Sequence, residues 1–277
     1  MPVIAMNQEM GSQGKLVAEQ LAADLGLDIV RHEIIDHLAE KMHLRKSMLQ
    51  RFVLGKSGLL ERWGTDEASL ALFKVEEILE LATKGNVIIR GWGATHVLRP
   101  IPHIPCVRVG APFAVRVKWL MNSLGTDDEE MAAEEIRHSD AAHRANMHRQ
   151  FGVTWGEPMQ YDLTLNTERL SVATCVEQIK QLLTRPEFTE PPESRAKLAN
   201  LSLEYHVRAA LRASPKTADV KISISADNGR ILLEGIAISL EERHAIVEIV
   251  SHVPGVKGVD NKLKVMKDVK IFPSSKT

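Results

Sequence analysis

The chain has 277 residues, 44% of them hydrophobic and 26% charged, which is enough apolar material for one or two packed domains. Its 35 Lys and Arg stand against 36 Asp and Glu, and a net charge of -1 argues against a general nucleic-acid binder, so no nucleic-acid partner is expected. Two cysteines, Cys106 and Cys175, are too few for a disulfide framework or zinc spacing, and no metal site is expected from protein side chains. The stretch Met1 to Met10 lacks a basic, then apolar, leader pattern, and no run approaches the ~18 apolar residues of a membrane span. A cytoplasmic location is the expectation.

Val3 to Met6 is a short apolar run ending in the turn Gly11-Ser12-Gln13-Gly14. Leu16, Val17, Leu21 and Leu25 then recur at helical spacing over 15–25. Further helices are predicted over 33–42 and 67–82. The continuous apolar runs 86–89, 104–109 and 161–165 predict strands buried on both faces. A helix over 171–183 follows, with Ser171 as its N-cap. Strands separated by helices predict an α/β domain over 1–185, a parallel sheet with helices on both faces. Three prolines and three glutamates between Arg185 and Ser194 predict a semi-extended linker over 186–197. Residues 198–277 then read in the order αββαβ, a small α+β domain. Its first two strands alternate apolar and polar residues around Asp227-Asn228-Gly229, a hairpin signal.

A phosphate loop needs inward-facing backbone N–H groups at the start of a helix whose positive dipole end meets the anion. Gly11, Gly14 and Lys15 stand in that position. The full pattern is G-x-x-x-x-G-K-S/T. Here Glu9 replaces the first glycine and Leu16 replaces the hydroxyl that holds magnesium. By motif alone, a phosphate loop and an ordinary strand-to-helix turn are both open. The acidic start of 127–150 suits a helix N-terminus, and Arg137 and Arg144, seven apart, share a face. An arginine-bearing lid and a solvated amphipathic helix both fit that pattern. His138, His143 and His148 recur every five residues, a spacing unsuited to a helical metal pair.

The segment 6–18, opening Met-Asn-Gln-Glu-Met-Gly-Ser-Gln-Gly, resembles the opening of the cytidylate kinase-like family. The resemblance continues through 86–95, 107–112 with Arg116, and Trp155-Gly156-Glu157-Pro158 followed by 161–167. It implies a P-loop nucleoside monophosphate kinase that moves the γ-phosphate of ATP to a CMP-like nucleotide substrate with Mg2+. Gly11, Ser12, Gln13, Gly14 and Lys15 would then cradle the donor phosphates. Lys15, Arg116 and Arg144 would neutralise the transferring group, and Arg31 and Arg90 would face the acceptor. The sequence departs from the family at Val30-Arg31-His32-Glu33, where only Glu33 matches, and at Trp92, which stands between two glycines where an arginine is usual. These departures leave open a nucleotide sensor that does not transfer phosphate.

Residues 198–266 resemble a BON domain through the 227–229 turn, Leu232-Leu233-Glu234-Gly235 and the block 253–263. That resemblance implies phospholipid or small-ligand binding. Lys257, Lys262, Lys264, Lys267 and Lys270 would contact an anionic surface, or serve as gatekeepers on an edge strand. A membrane-surface adaptor is therefore a third reading, and self-association is left open.

Overall fold

A computed structural model describes residues 2–30, 39, 67–91 and 93–266. The chain divides into two compact units, Met1–Ser194 and Arg195–Thr277. In the first, β1 (Val3–Gln8), α1 (Gly14–Leu25), β2 (Asp28–Val30), α2 (Glu67–Lys84), β3 (Val87–Arg90), α3 (Ala94–Val97) and β4 (Cys106–Gly110) follow in order. Next come α4 (Phe113–Leu124), α5 (Glu129–Phe151), β5 (Leu163–Asn166) and α6 (Val172–Leu183). The helix expected over 33–42 lies, but for Ala39, outside the described residues, as do Arg31 and Trp92.

The five strands form a parallel sheet in the order β2-β3-β1-β4-β5. β1 runs through its centre, with Ile4 beside Ile88 and Met6 beside Val107. Both faces of β1 are covered, which is why its apolar residues run without alternation. One core joins Ile4, Met6, Ile88, Val107 and Val109 to Val17 and Leu21 of α1 and Ile179 of α6. Ser171 caps α6 by accepting the Thr174 N–H at 3.1 Å. Asp128 caps α5 by accepting the Met131 N–H at 2.9 Å.

The segment 113–124 forms α4, which buries Arg116, Val117 and Leu120. A local expectation is corrected: the stretch expected as a linker over 186–197 holds a short 3-10 turn, Pro186–Phe188, and then the start of α7 (Pro192–Ala213). Proline suits a first helical turn, where its missing N–H would have no partner anyway. The buried Ser194 hydroxyl sits 2.6 Å from His103 Nδ1.

The second unit continues with β6 (Ile222–Asp227), β7 (Arg230–Ala237), α8 (Leu240–His252) and β8 (Gly258–Val265). β7 is the middle strand, antiparallel to β6 and parallel to β8. Asn228 and Gly229 both adopt positive φ in the tight turn. Gly235 has φ 142°, and a Cβ there would stand 3.1 Å from Ile222 Cγ2 and 3.3 Å from its Cα. Leu203, Val207 and Leu211 of α7 and Ile246 and Val250 of α8 close one core with Ile224, Ile231, Leu233 and Leu263.

In the first unit, α2 carries a buried lysine. The Lys74 ammonium donates to Gln150 Oε1 and lies 4.7 Å from the centre of the Phe151 ring, so it anchors the end of α5. Phe151 also meets the His96 ring of α3 at 4.8 Å. Burial lowers the Lys74 pKa from 10.5 to about 7. The fold therefore disfavours the charged form, and unfolding takes up a proton between about pH 7 and 10.5. Stability contributed by this group is full above the unfolded value and is lost as pH falls towards 7. Lys74→Met should raise unfolding free energy at pH 7 by on the order of 1–3 kcal/mol. It should also flatten the rise in stability between pH 7 and 10. Denaturant titrations across that range check both; an unchanged slope would refute the assignment.

Candidate functional site

In open parallel sheets, ligands sit beyond the carboxyl ends of the strands, where the strand order reverses. Here that point is the end of β1, between β3 and β4. The chain leaves β1 through Glu9 and Met10 and turns into α1 with left-handed backbone at Gly11 (φ 79°) and Gln13 (φ 59°). The amides of Gln13, Gly14, Lys15 and Leu16 donate to no backbone carbonyl among the described residues. They are the orphan donors of a helix N-terminus and point where an anion would be favoured.

The turn is compact because its neighbours press on it. A Cβ at Gly11 would stand 2.6 Å from the Arg116 carbonyl oxygen, and one at Gly14 would stand 2.7 Å from Gln8 Cβ. Ser12 is fully buried and donates its hydroxyl to the carbonyls of Glu9 (2.7 Å) and Val109 (3.0 Å). Thr167 Oγ1 donates to the Ser12 carbonyl at 2.9 Å. Lys15 is exposed, 3.5 Å from Glu19 one turn along. Gly11, Ser12, Gln13, Gly14 and Lys15 thus form one turn. Within it the Ser12 hydroxyl serves the backbone, while the Lys15 side chain is exposed and Gln13 half-buried.

A second layer of charge lies beneath the turn. Glu9 Oε1 accepts from Arg108 Nη2 at 2.6 Å, and Oε2 accepts from the Ala111 N–H at 3.1 Å. Arg116 Nε lies 3.7 Å from the same carboxylate. The Arg116 guanidinium also grips Asp140 of α5 with two bonds, 3.0 and 2.8 Å, and donates to the Met10 carbonyl at 3.3 Å. Burial works against the charge of Arg116. The hydrogen bonds and charge of Asp140, with the charge of Glu9, more than offset this and leave its pKa above the ordinary value. Arg108 in turn packs against Trp155 (4.9 Å) and Tyr161 (5.5 Å). Asn7 ties these rings together, donating to the Tyr161 hydroxyl at 2.7 Å and accepting from Trp155 Nε1 at 3.3 Å.

The arginines expected to act together are engaged differently. Arg116 is buried between two carboxylates instead of being presented to the turn. Arg144 is exposed on α5, one turn beyond Asp140, and pairs with no acidic group among the described residues. Arg137 is exposed and paired with Glu130 at 2.9 Å. Arg90 is buried at the end of β3, beside Met6 in register. His143 Nδ1 donates to the Ser139 carbonyl and its ring stacks on Trp155, while His138 and His148 are exposed.

Sequence reasoning passed over Asp140 and read Glu9 only as a lost glycine. The one available signal was a carboxylate in the midst of a glycine turn, a costly place for a charge without a partner. For magnesium, the position of the usual hydroxyl ligand is held by the half-exposed Leu16. The buried Ser12 hydroxyl is already committed to two carbonyls. Among the described residues of the turn, neither Leu16 nor the buried Ser12 presents a ligand for that ion.

Among curated proteins, none matches the chain. Among solved structures, an uncharacterized protein from Eubacterium ventriosum is 20% identical with a TM-score of 0.53, covering 67% of this chain and 100% of that one. Shikimate kinase from Bacteroides thetaiotaomicron is 16% identical with a TM-score of 0.40, covering 66% and 99%. Deoxyadenosine kinase from M. mycoides is 11% identical with a TM-score of 0.36, covering 66% and 100%. At these identities the likeness bears on the fold alone. Residues 201–267 match the BON domain, so the second unit carries that module. Residues 3–169, the greater part of the chain, match the cytidylate kinase-like family, and this protein belongs to it.

Proposed function

We propose that the first unit binds a nucleoside triphosphate at the glycine turn and transfers its γ-phosphoryl group to a CMP-like monophosphate. The observation that carries this reading is the set of unbonded amides at the start of α1, at the end of the central strand. Those amides and the Lys15 ammonium would bind the β- and γ-phosphates of ATP. An acceptor phosphate oxygen would attack the γ-phosphorus as the bond to the β-phosphate oxygen breaks. The protein's work is then positioning and charge neutralisation. Arg144, exposed and uncommitted, is free to reach the transferring group. Arg116 would do so only after leaving Asp140. Arg90 and Arg31 would address the acceptor. Magnesium would arrive on the nucleotide's phosphates, and no protein ligand is assigned to it. A cytoplasmic setting, where ATP is abundant, suits this activity.

A second reading is favoured by Leu16 and by the engagement of Arg116: a sensor that binds nucleotide without transfer. For the BON unit, we read the exposed Ile236, Ile238, Leu240 and Met266 as an apolar tip. Lys264, beside Ile236 in register, would help it meet an anionic phospholipid surface.

A coupled ADP-release assay against CMP, dCMP, UMP and AMP separates the two readings. Turnover with a pyrimidine monophosphate, reduced at least ~100-fold in Lys15→Ala, is the expected result. Nucleotide-dependent thermal stabilisation without turnover would move the assignment to the sensor. For the tip, full-length protein should sediment with phosphatidylglycerol vesicles, and Ile238→Asp should weaken that by about tenfold. Equal sedimentation of both proteins, or of neither, would remove the lipid surface from the reading.

A further inference from the structure

The charges beneath the glycine turn sum to zero: Glu9 and Asp140 against Arg108 and Arg116. A neutral cluster offers little attraction to a polyphosphate. An anion seated in the turn would gain a cation from this cluster only if an arginine gave up a carboxylate. Arg116 is placed to do this. Its backbone lies directly under Gly11, its guanidinium touches the Met10 carbonyl, and its carboxylate partner belongs to a different helix.

That helix is lightly held. Of the 23 residues of α5, only Ala132, Ala133, Ile136 and Asp140 are buried. The first three pack with Val117 and Leu120 of α4. Past Asp140, the next anchors are the stacking of His143 on Trp155 and the contact of Gln150 and Phe151 with Lys74. A buried ion pair adds little net stability compared with apolar packing, so its energetic contribution here is modest and its geometry is what matters. Broken on one side, it leaves an uncompensated charge that seeks another partner.

We propose that Asp140 is a positioning residue, an internal stand-in for a ligand phosphate. It holds Arg116 until a polyphosphate enters the turn, and the exchange of Arg116 from Asp140 to that anion loosens the middle of α5. This rests on the nucleotide-binding reading above. It adds to that reading the residue that couples occupancy of the turn to the helix bearing Arg144.

The test uses the full chain and sodium tripolyphosphate, with ATP as a second probe. Calorimetry should show Asp140→Asn binding either probe about tenfold more tightly than the native chain, because the variant leaves one arginine charge unspent. In an Arg116→Gln background the same substitution should change affinity less than twofold. Amide hydrogen exchange on the native protein, which depends on no variant folding, should show residues 136–146 exchanging faster when tripolyphosphate is bound. Native protein that binds the probe with α5 exchange unchanged or slowed overturns the latch and leaves the binding reading intact. Equal or weaker binding by a folded Asp140→Asn overturns it too. Absence of binding by native protein and variant alike overturns both.

Discussion

Four largely buried charges bind four chain segments into one site. Glu9 comes from the turn after β1, Arg108 from β4, Arg116 from α4 and Asp140 from α5. In a low-dielectric setting each would be costly alone, and each is tolerable because its neighbours neutralise it. The constraint is therefore collective. Glu9 must reach both the Ala111 N–H and the two arginines, which fixes the start of the turn against the β4–α4 junction. Once that is fixed, Gly11 has no room for a side chain, since the Arg116 backbone already fills the space.

The same network sets how α5 is attached. A small apolar patch holds its first half, an ion pair its middle, and an aromatic ring with a lysine its end. These three fastenings respond to different conditions. Apolar contacts are indifferent to charge, the Asp140 pair responds to competing anions, and Lys74 responds to proton activity. A helix fastened in this graded way can yield at one point while staying held at the others.

Much of the fold was legible because it rests on local pattern. The runs at 3–6, 86–89 and 104–109 announced strands, since a strand covered on both faces has no polar alternation. The run at 161–165 also led to a strand, but β5 lies at the sheet edge and buries only Leu165, so the expectation of cover on both faces is corrected there. Ser171 and the 227–229 turn were readable because capping and tight turns use side-chain and backbone chemistry within four residues. α4 was harder to read because Val115 and Trp119 stand opposite the stripe of Phe113, Val117, Leu120 and Leu124 and blur it. The start of α7 was missed because prolines suggest a breaker unless the position in the first turn is known. At the site, the glycine turn was legible from spacing. The role of Arg116 was not, because its partners lie 24 residues ahead and 107 behind, and nothing in its flanks names them. An arginine alone does not tell whether it waits for a phosphate or already holds a carboxylate.

Gly235 in the second unit has a further bearing. Its backbone closes on Ile222 so tightly that a side chain at this point would strike the partner strand. Sliding β7 by one step past β6 would bring Glu234 or Ile236 into that gap and turn the buried Ile231, Leu233 and Ala237 outward. The narrow spot thus works as a notch in a ruler: only one alignment of the hairpin lets the strands close, and the parallel pairing with β8 follows from it, with Glu234–Lys262 and Arg230–Asp260 bridging the two strands.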